Sequence, residues 1–108
     1  MKIEIALSSA MGDLVKIGDK EITIREGKRD YPLGPAVFTI EDGSELSINI
    51  TSVDHITVNQ LTYLDAIADG FENAADLRKG LLHLYPDLTP SSEVTVIYFI
   101  YTPSDLTF

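Results

Sequence analysis

The segment GDKEITIR, residues 18 to 25, combines residue types that together can attack an amide. A threonine hydroxyl such as that of Thr23 is a weak nucleophile unless a neighbouring base accepts its proton. Lys20 can be that base only as a neutral amine, so burial or a cationic neighbour must lower its pKa from the usual value of about 10.4. Arg25 supplies such a charge, because a guanidinium stays protonated. The segment therefore predicts either a reactive pocket or, alternatively, an ordinary amphipathic strand behind a turn.

Strand geometry restricts how these side chains can meet. Alternate side chains of a strand lie on opposite faces, so Thr23 and Arg25 share a face while Lys20 and Thr23 point apart. Lys20 must therefore lie in a turn formed at Gly18 and Asp19, or a β-bulge must intervene. Without such an arrangement, Thr23 is simply a good strand former and Lys20 a solvated charge at the strand entrance.

The composition is that of a small acidic globular protein. The chain has 108 residues, 44% of them hydrophobic, which predicts a single domain over residues 1–108 with one core. The absence of cysteine excludes disulfides and thiolate chemistry. The N-terminal segment lacks a signal-peptide core, and the apolar run VTVIYFIY is too short to span a bilayer. We therefore expect a cytoplasmic protein without a membrane partner.

The charge distribution indicates which class of ligand to expect. The formal net charge is −9, which disfavours binding to the phosphate backbone of DNA. Basic residues nevertheless concentrate in residues 16 to 30, and this locally basic face favours a small or single-site ligand. Within and beside it, Arg25 and Arg29 are candidate substrate-binding residues, and Tyr31 is a candidate for stacking on a base. Two histidines and scattered carboxylates show no metal-ligand spacing, so we expect neither a metal nor a cofactor.

Hydrophobic alternation and turn signals predict strands and short helices. Helices are predicted over AMGDLVKI, TYLDAIADG and NAADLRKGLLHLYP, and strands over KIEIAL, KEITIRE, EVTVIYFIY and a hairpin that turns at Asp42-Gly43. Short, mostly antiparallel strands hide their edges by full or partial closure. The predicted fold class is α+β, mostly β, a small barrel of about five to six strands with two to three short helices.

The order of these motifs resembles that of the ASCH domain, a small barrel related to the PUA fold. GDKEITIR matches the family's G-x-K-x-x-T-x-R pattern, and LTYLDAIADGFENAADLRKGLLHLYP matches an L-T start, an A-x-x-(Asp/Glu)-G-F helix end and a second helix finishing in Y-P. The apolar strand VTVIYFI follows, so the resemblance extends over residues 16–101.

Within that family, the chain is similar in size and motif order to small bacterial amidohydrolases that remove the acetyl group from N(4)-acetylcytidine. The resemblance implies a nucleoside substrate and a catalytic set of Lys20, Thr23 and an acidic partner at Asp69. Asp69 is one methylene shorter than the glutamate of the family's pattern. A carboxylate at a helix C-terminus is also disfavoured by the helix dipole, which is a weak independent pointer to function.

The sequence is also compatible with a second function. Other PUA-like barrels act as RNA-binding or RNA-modification accessory modules without catalytic activity. In that case Arg25, Lys28, Arg29 and Tyr31 would form a positive rim, and affinity for RNA would fall steeply with salt.

Overall fold

The computed structural model describes residues 2–103. Its strands are β1 (Glu4–Leu7), β2 (Ile22–Glu26), β3 (Gly34–Ile40), β4 (Glu45–Thr57) and β5 (Glu93–Tyr101). Its α-helices are α1 (Ser9–Ile17), α2 (Tyr63–Ala68) and α3 (Ala74–Leu84), and a short 3-10 helix covers Val58–Gln60. This arrangement confirms the predicted small, mostly-β α+β fold.

The five strands form one sheet in the order β1-β3-β4-β5-β2, curled into a half-barrel. The pairing of β1 with β3 is parallel, and the other pairings are antiparallel. The carboxyl ends of β1 and β3 therefore lie at the same end of the sheet as the amino end of β2. Because β1 and β2 occupy opposite edges, curling the sheet turns these edges toward one another across its open side.

Local signals explain where several elements begin and turn. Ser8 caps α1 by accepting a hydrogen bond from the backbone N–H of Met11 over 3.2 Å. The predicted hairpin joins β3 to β4, with Gly43 at a φ of 91° and the Asp42 carboxylate accepting from the Ser44 backbone N–H over 2.9 Å. Both features are readable in the sequence, because they involve residues close together in the chain.

The apolar residues form two clusters, one on each face of the sheet. Inside the curl, the Phe38 and Phe99 rings meet edge to face with centroids 4.9 Å apart. On the outer face, α2 and α3 cover a cluster that includes Val94 and Val96 of β5. β5 is therefore buried on both sides, as its continuous apolar sequence predicts. No helix within residues 2–103 has the length and apolar character needed to cross a membrane.

Candidate active site

Lys20 lies in the turn between α1 and β2. Gly18 ends α1 with a φ of 86°, a left-handed conformation that favours glycine. The backbone N–H groups of Asp19 and Lys20 then donate to the Leu14 carbonyl oxygen over 2.9 and 3.2 Å. β2 begins only at Ile22, so Lys20 is not bound by the alternation of the strand. Of the two arrangements that strand parity allows, the structure has the turn.

Asp69 is positioned by the end of α2. The helix starts with a capping box in which Thr62 and Asp65 satisfy each other's backbone N–H groups. Its last residue is Ala68, Asp69 is the C-cap residue, and the following Gly70 has a φ of 90°. A Cβ at Gly70 would lie 2.8 Å from Leu14 Cδ1, so glycine also permits close packing against α1. This packing brings Asp69 next to Lys20.

Lys20 and Asp69 form a buried pair in direct contact. The Lys20 ammonium group donates to Oδ1 of Asp69, and the two residues are 4% and 5% exposed. Burial lowers the pKa of Lys20, which the Asp69 carboxylate opposes. Burial likewise raises the pKa of Asp69 against the opposing effect of Lys20. Both directions favour the neutral forms, so the pair is suited to passing one proton between an amine and a carboxylate.

Thr23 and Arg25 lie together on β2, as their spacing predicts. Thr23 is 3% exposed, and Arg25 Nη2 donates a hydrogen bond of 3.0 Å to its Oγ1. Because the threonine oxygen accepts this bond, its own proton remains available to a base. The guanidinium charge also stabilises negative charge developing on that oxygen. Arg25 further lowers the pKa of Lys20, as a smaller effect than burial.

One cavity of about 620 Å³ contains all four side chains. It lies at the open side of the half-barrel, between the β2 edge and the β1–β3 edge, and α3 forms part of its wall. Its polar lining residues are Ser8, Lys20, Thr23, Arg25, Thr39, Glu41, Asp69 and His83. Its apolar lining includes Leu7, Met11, Phe71, Leu81 and Leu84. A cavity of this size and composition suits a small ligand that makes a few hydrogen bonds and some apolar contacts.

The structure places Arg29 and Tyr31 outside this cavity. Arg29 is exposed, and its Nε donates to the carbonyl oxygen of Glu26 over 2.8 Å. Tyr31 is half-buried and packs against the apolar cluster inside the curl. Lys20, Thr23, Arg25 and Asp69 are thus brought together, whereas Arg29 and Tyr31 are not.

The loop after β2 is held by two residues whose roles the sequence did not reveal. The fully buried Thr95 donates to the Gly27 carbonyl oxygen over 2.7 Å and accepts from the Arg29 backbone N–H over 2.8 Å. His55, its neighbour across the sheet, lies 2.6 Å through Nε2 from the Arg29 carbonyl oxygen. These bonds fix the chain direction after Arg25, the last site residue on β2.

Sequence reasoning also missed the residues that enter the cavity from the opposite edge, chiefly Ser8, Thr39 and Glu41. Their location in the cavity depends on the parallel pairing of β1 with β3, and no local sequence motif predicts this pairing. His83 enters from α3, and its helical position alone gave no reason to expect this. Among residues 2–103, no group of three or more His, Asp and Glu side chains is arranged to hold a metal ion.

Comparison with known proteins gives structural relatives at low sequence identity. The sequence matches no family profile and no curated protein. An ASCH domain from Lactobacillus crispatus JV V101 superposes with a TM-score of 0.77 and 16% identity, over 92% of this chain and 79% of the other. A protein from Enterococcus faecalis V583 gives 0.71 and 18%, over 100% and 85%. A mutant of ZmASCH from Zymomonas mobilis gives 0.63 and 15%, over 95% and 74%. On this likeness, the chain has the fold of ASCH domains.

Proposed function

We propose that the protein is an amidohydrolase that removes the acetyl group from N(4)-acetylcytidine or a related small amide. The observation that carries this proposal is the buried Lys20–Asp69 pair opening into the same cavity as Thr23, whose oxygen is held by Arg25. Burying two ionisable groups costs stability unless their contacts are excellent. Groups with perturbed pKa values on a cavity wall are typical of sites that transfer protons.

The first half of the reaction acylates Thr23. With Lys20 neutral and Asp69 protonated, the amine accepts the Thr23 proton while Oγ1 forms a bond to the amide carbon. The C–N bond of the resulting tetrahedral intermediate then breaks, and Asp69 gives its proton to the departing nitrogen. An acetyl ester on Thr23 and an ammonium–carboxylate pair remain.

The second half releases the acid. A proton returns from Lys20 to Asp69 within the pair, and the neutral amine accepts a proton from water as the water oxygen attacks the ester carbon. The C–O bond to Thr23 breaks, and Asp69 protonates Oγ1. One water is consumed, and one amine and one carboxylic acid are formed, so the protein returns to its starting state after proton transfer within the pair.

The distribution of basic residues supports a small substrate over an RNA. Arg25 contacts Thr23 in the cavity, and Tyr31 packs against the apolar cluster inside the curl. Arg29 lies on an exposed loop and binds the backbone of Glu26. These residues are therefore divided between the cavity, the core and the surface, where a phosphate-binding rim would need them together. The net charge of −9 also opposes phosphodiester binding.

The direct test is to incubate the purified protein with N(4)-acetylcytidine and to measure the release of free cytidine by chromatography. We expect turnover in the wild type and its loss in Thr23→Val, which removes only the hydroxyl. Thr51→Val is the matched control, because Thr51 is an exposed strand threonine whose hydroxyl donates to the Tyr98 carbonyl oxygen over 3.3 Å. Thermal unfolding of both variants checks the fold. Equal turnover in the two variants, or no cytidine from the wild type at stoichiometric concentration, contradicts the proposal.

A further inference from the structure

Glu41 lines the cavity from the edge opposite Thr23. It follows the carboxyl end of β3, and its backbone N–H donates to the Leu7 carbonyl oxygen over 3.2 Å. Its Oε1 accepts a hydrogen bond of 2.8 Å from the backbone N–H of Ser9 in the first turn of α1. The side chain is thus oriented by two neighbouring elements although the residue is exposed. This bond uses Oε1, so Oε2 can accept a hydrogen bond from a ligand.

The charges around the cavity are unequal on its two sides. On the β2 side, Lys20 and Asp69 together are neutral when they share one proton, and the Arg25 guanidinium, which donates to the uncharged Thr23 hydroxyl, keeps its positive charge. On the β1–β3 side, the charged lining group is Glu41. A ligand that fills the cavity with its amide carbon at Thr23 reaches the Glu41 side, because the lining residues come from both edges of the sheet.

From this arrangement we propose that Glu41 selects uncharged nucleosides and rejects their phosphorylated forms. The inference rests on the proposed function and identifies the substrate class of the same site. A carboxylate accepts hydrogen bonds from sugar hydroxyls and repels a phosphate. The net charge of −9 acts in the same direction at longer range. Glu41 is accordingly a specificity-determining residue of the proposed site.

The test compares kcat/KM for N(4)-acetylcytidine and its 5′-monophosphate at low salt. We expect the wild type to prefer the nucleoside, and Glu41→Gln to reduce that preference by about tenfold, as removal of one nearby like charge predicts. Glutamine keeps an oxygen that can accept the bond from the Ser9 N–H, and the Ser8 cap of α1 is not altered. The wild-type preference should also shrink as salt is added.

Glu45→Gln is the matched control. Glu45 is an exposed glutamate outside the cavity, paired with Lys2, so its loss changes the net charge equally without altering the cavity wall. An unchanged nucleoside-to-nucleotide ratio in Glu41→Gln, or an equal change in Glu45→Gln, overturns the inference. If the wild type hydrolyses neither compound, the proposed function fails. Calorimetric titration with cytidine and cytidine 5′-monophosphate then still decides the role of Glu41, because the same change in ratio is expected for binding.

Discussion

The backbone N–H of Glu21 donates a hydrogen bond of 2.6 Å to the carbonyl oxygen of Ala68. Lys20 immediately precedes the donor residue and Asp69 immediately follows the acceptor residue. One main-chain bond therefore fixes the separation of two side chains that are 49 positions apart in the chain. The backbone therefore holds Lys20 and Asp69 next to each other. A pair that transfers a proton requires this kind of preorganisation.

The buried pair should behave as a unit in stability measurements. Lys20→Met leaves the Asp69 carboxylate buried without its partner, and we expect a loss of about 3 kcal/mol in the free energy of unfolding. The double variant Lys20→Met/Asp69→Leu replaces both groups with apolar ones and should recover most of that loss. Urea unfolding of both single variants and the double variant measures the coupling. Additive losses would show that the two residues do not interact energetically.

The pH dependence of the Lys20→Met variant has a definite sign. Burial raises the pKa of Asp69, so its contribution to stability is present below the ordinary carboxyl value of 3.8 and is lost as the pH rises through the raised value. Removing Lys20 raises the pKa of Asp69 further, since the opposing charge is gone. Relative to the wild type, the variant should therefore gain stability as the pH is lowered from neutral. Urea unfolding across the acidic range tests this, and a constant difference would refute it.

The pH dependence of activity should be bell-shaped. In the proposed mechanism, turnover requires the pair to hold one proton, because two protons leave no base and none leaves no acid. The raised pKa of Asp69 places the acid limb above 3.8, and the lowered pKa of Lys20 places the alkaline limb below 10.5. Both limbs belong to the coupled pair and not to either residue alone. The measurement is kcat/KM for N(4)-acetylcytidine against pH, and a profile with a single limb would contradict a shared proton.

Gly70 should be more sensitive to substitution than a glycine of similar conformation in open space. Alanine at a positive φ costs about 1 kcal/mol wherever it occurs. At Gly70 the added Cβ would also lie 2.8 Å from Leu14 Cδ1, whereas Gly27, with a φ of 82°, has no atom within 4 Å of that position. We expect Gly70→Ala to lower both stability and turnover, because Asp69 shifts, and Gly27→Ala to show the conformational cost alone. Urea unfolding and turnover assays compare them, and equal losses of turnover would refute the packing argument.

Thr95 should matter for stability although it is not among the residues that line the cavity. Thr95→Val leaves the Gly27 carbonyl and the Arg29 N–H without the threonine partner, and we expect a loss of about 1 kcal/mol because both bonds are part-buried. Thr51→Val removes one exposed hydrogen bond and should cost far less. Hydrogen exchange at the Arg29 amide should also accelerate in Thr95→Val. Unchanged exchange there would mean that His55 alone holds the loop.

Features set by neighbouring residues were predictable from the sequence. The Ser8 cap, the Asp42-Gly43 turn and the start of α2 at Thr62 each depend on side chains within a few positions of the backbone they contact. The position of Lys20 was predictable in part, because the alternation of side chains along a strand allowed only a turn or a β-bulge there. Gly18 decided it, since a left-handed residue can end α1 and leave Lys20 outside β2.

Features that depend on distant pairing were not predictable. The parallel contact between β1 and β3 puts Glu41 in the cavity, yet neither strand carries a local sign of it. The basic residues near Tyr31 in the sequence favour a base-stacking role for its ring. In the structure the ring packs against the apolar cluster that contains Phe38, where burial stabilises it more. Asp69, although shorter than a glutamate, contacts Lys20 because the Glu21–Ala68 bond draws the two backbones together.

The incomplete curl of the sheet bears on how specificity can evolve in so small a protein. In the sheet formed by the described residues, β1 and β2 each have a single neighbour, so the groove between them is bounded by strands that do not share ladder bonds. Side chains on one side of the groove can be exchanged without disturbing the strand register on the other side. The acyl-transfer chemistry proposed for the β2 side of the groove can thus stay the same while side chains on the β1–β3 side change to fit a new leaving group.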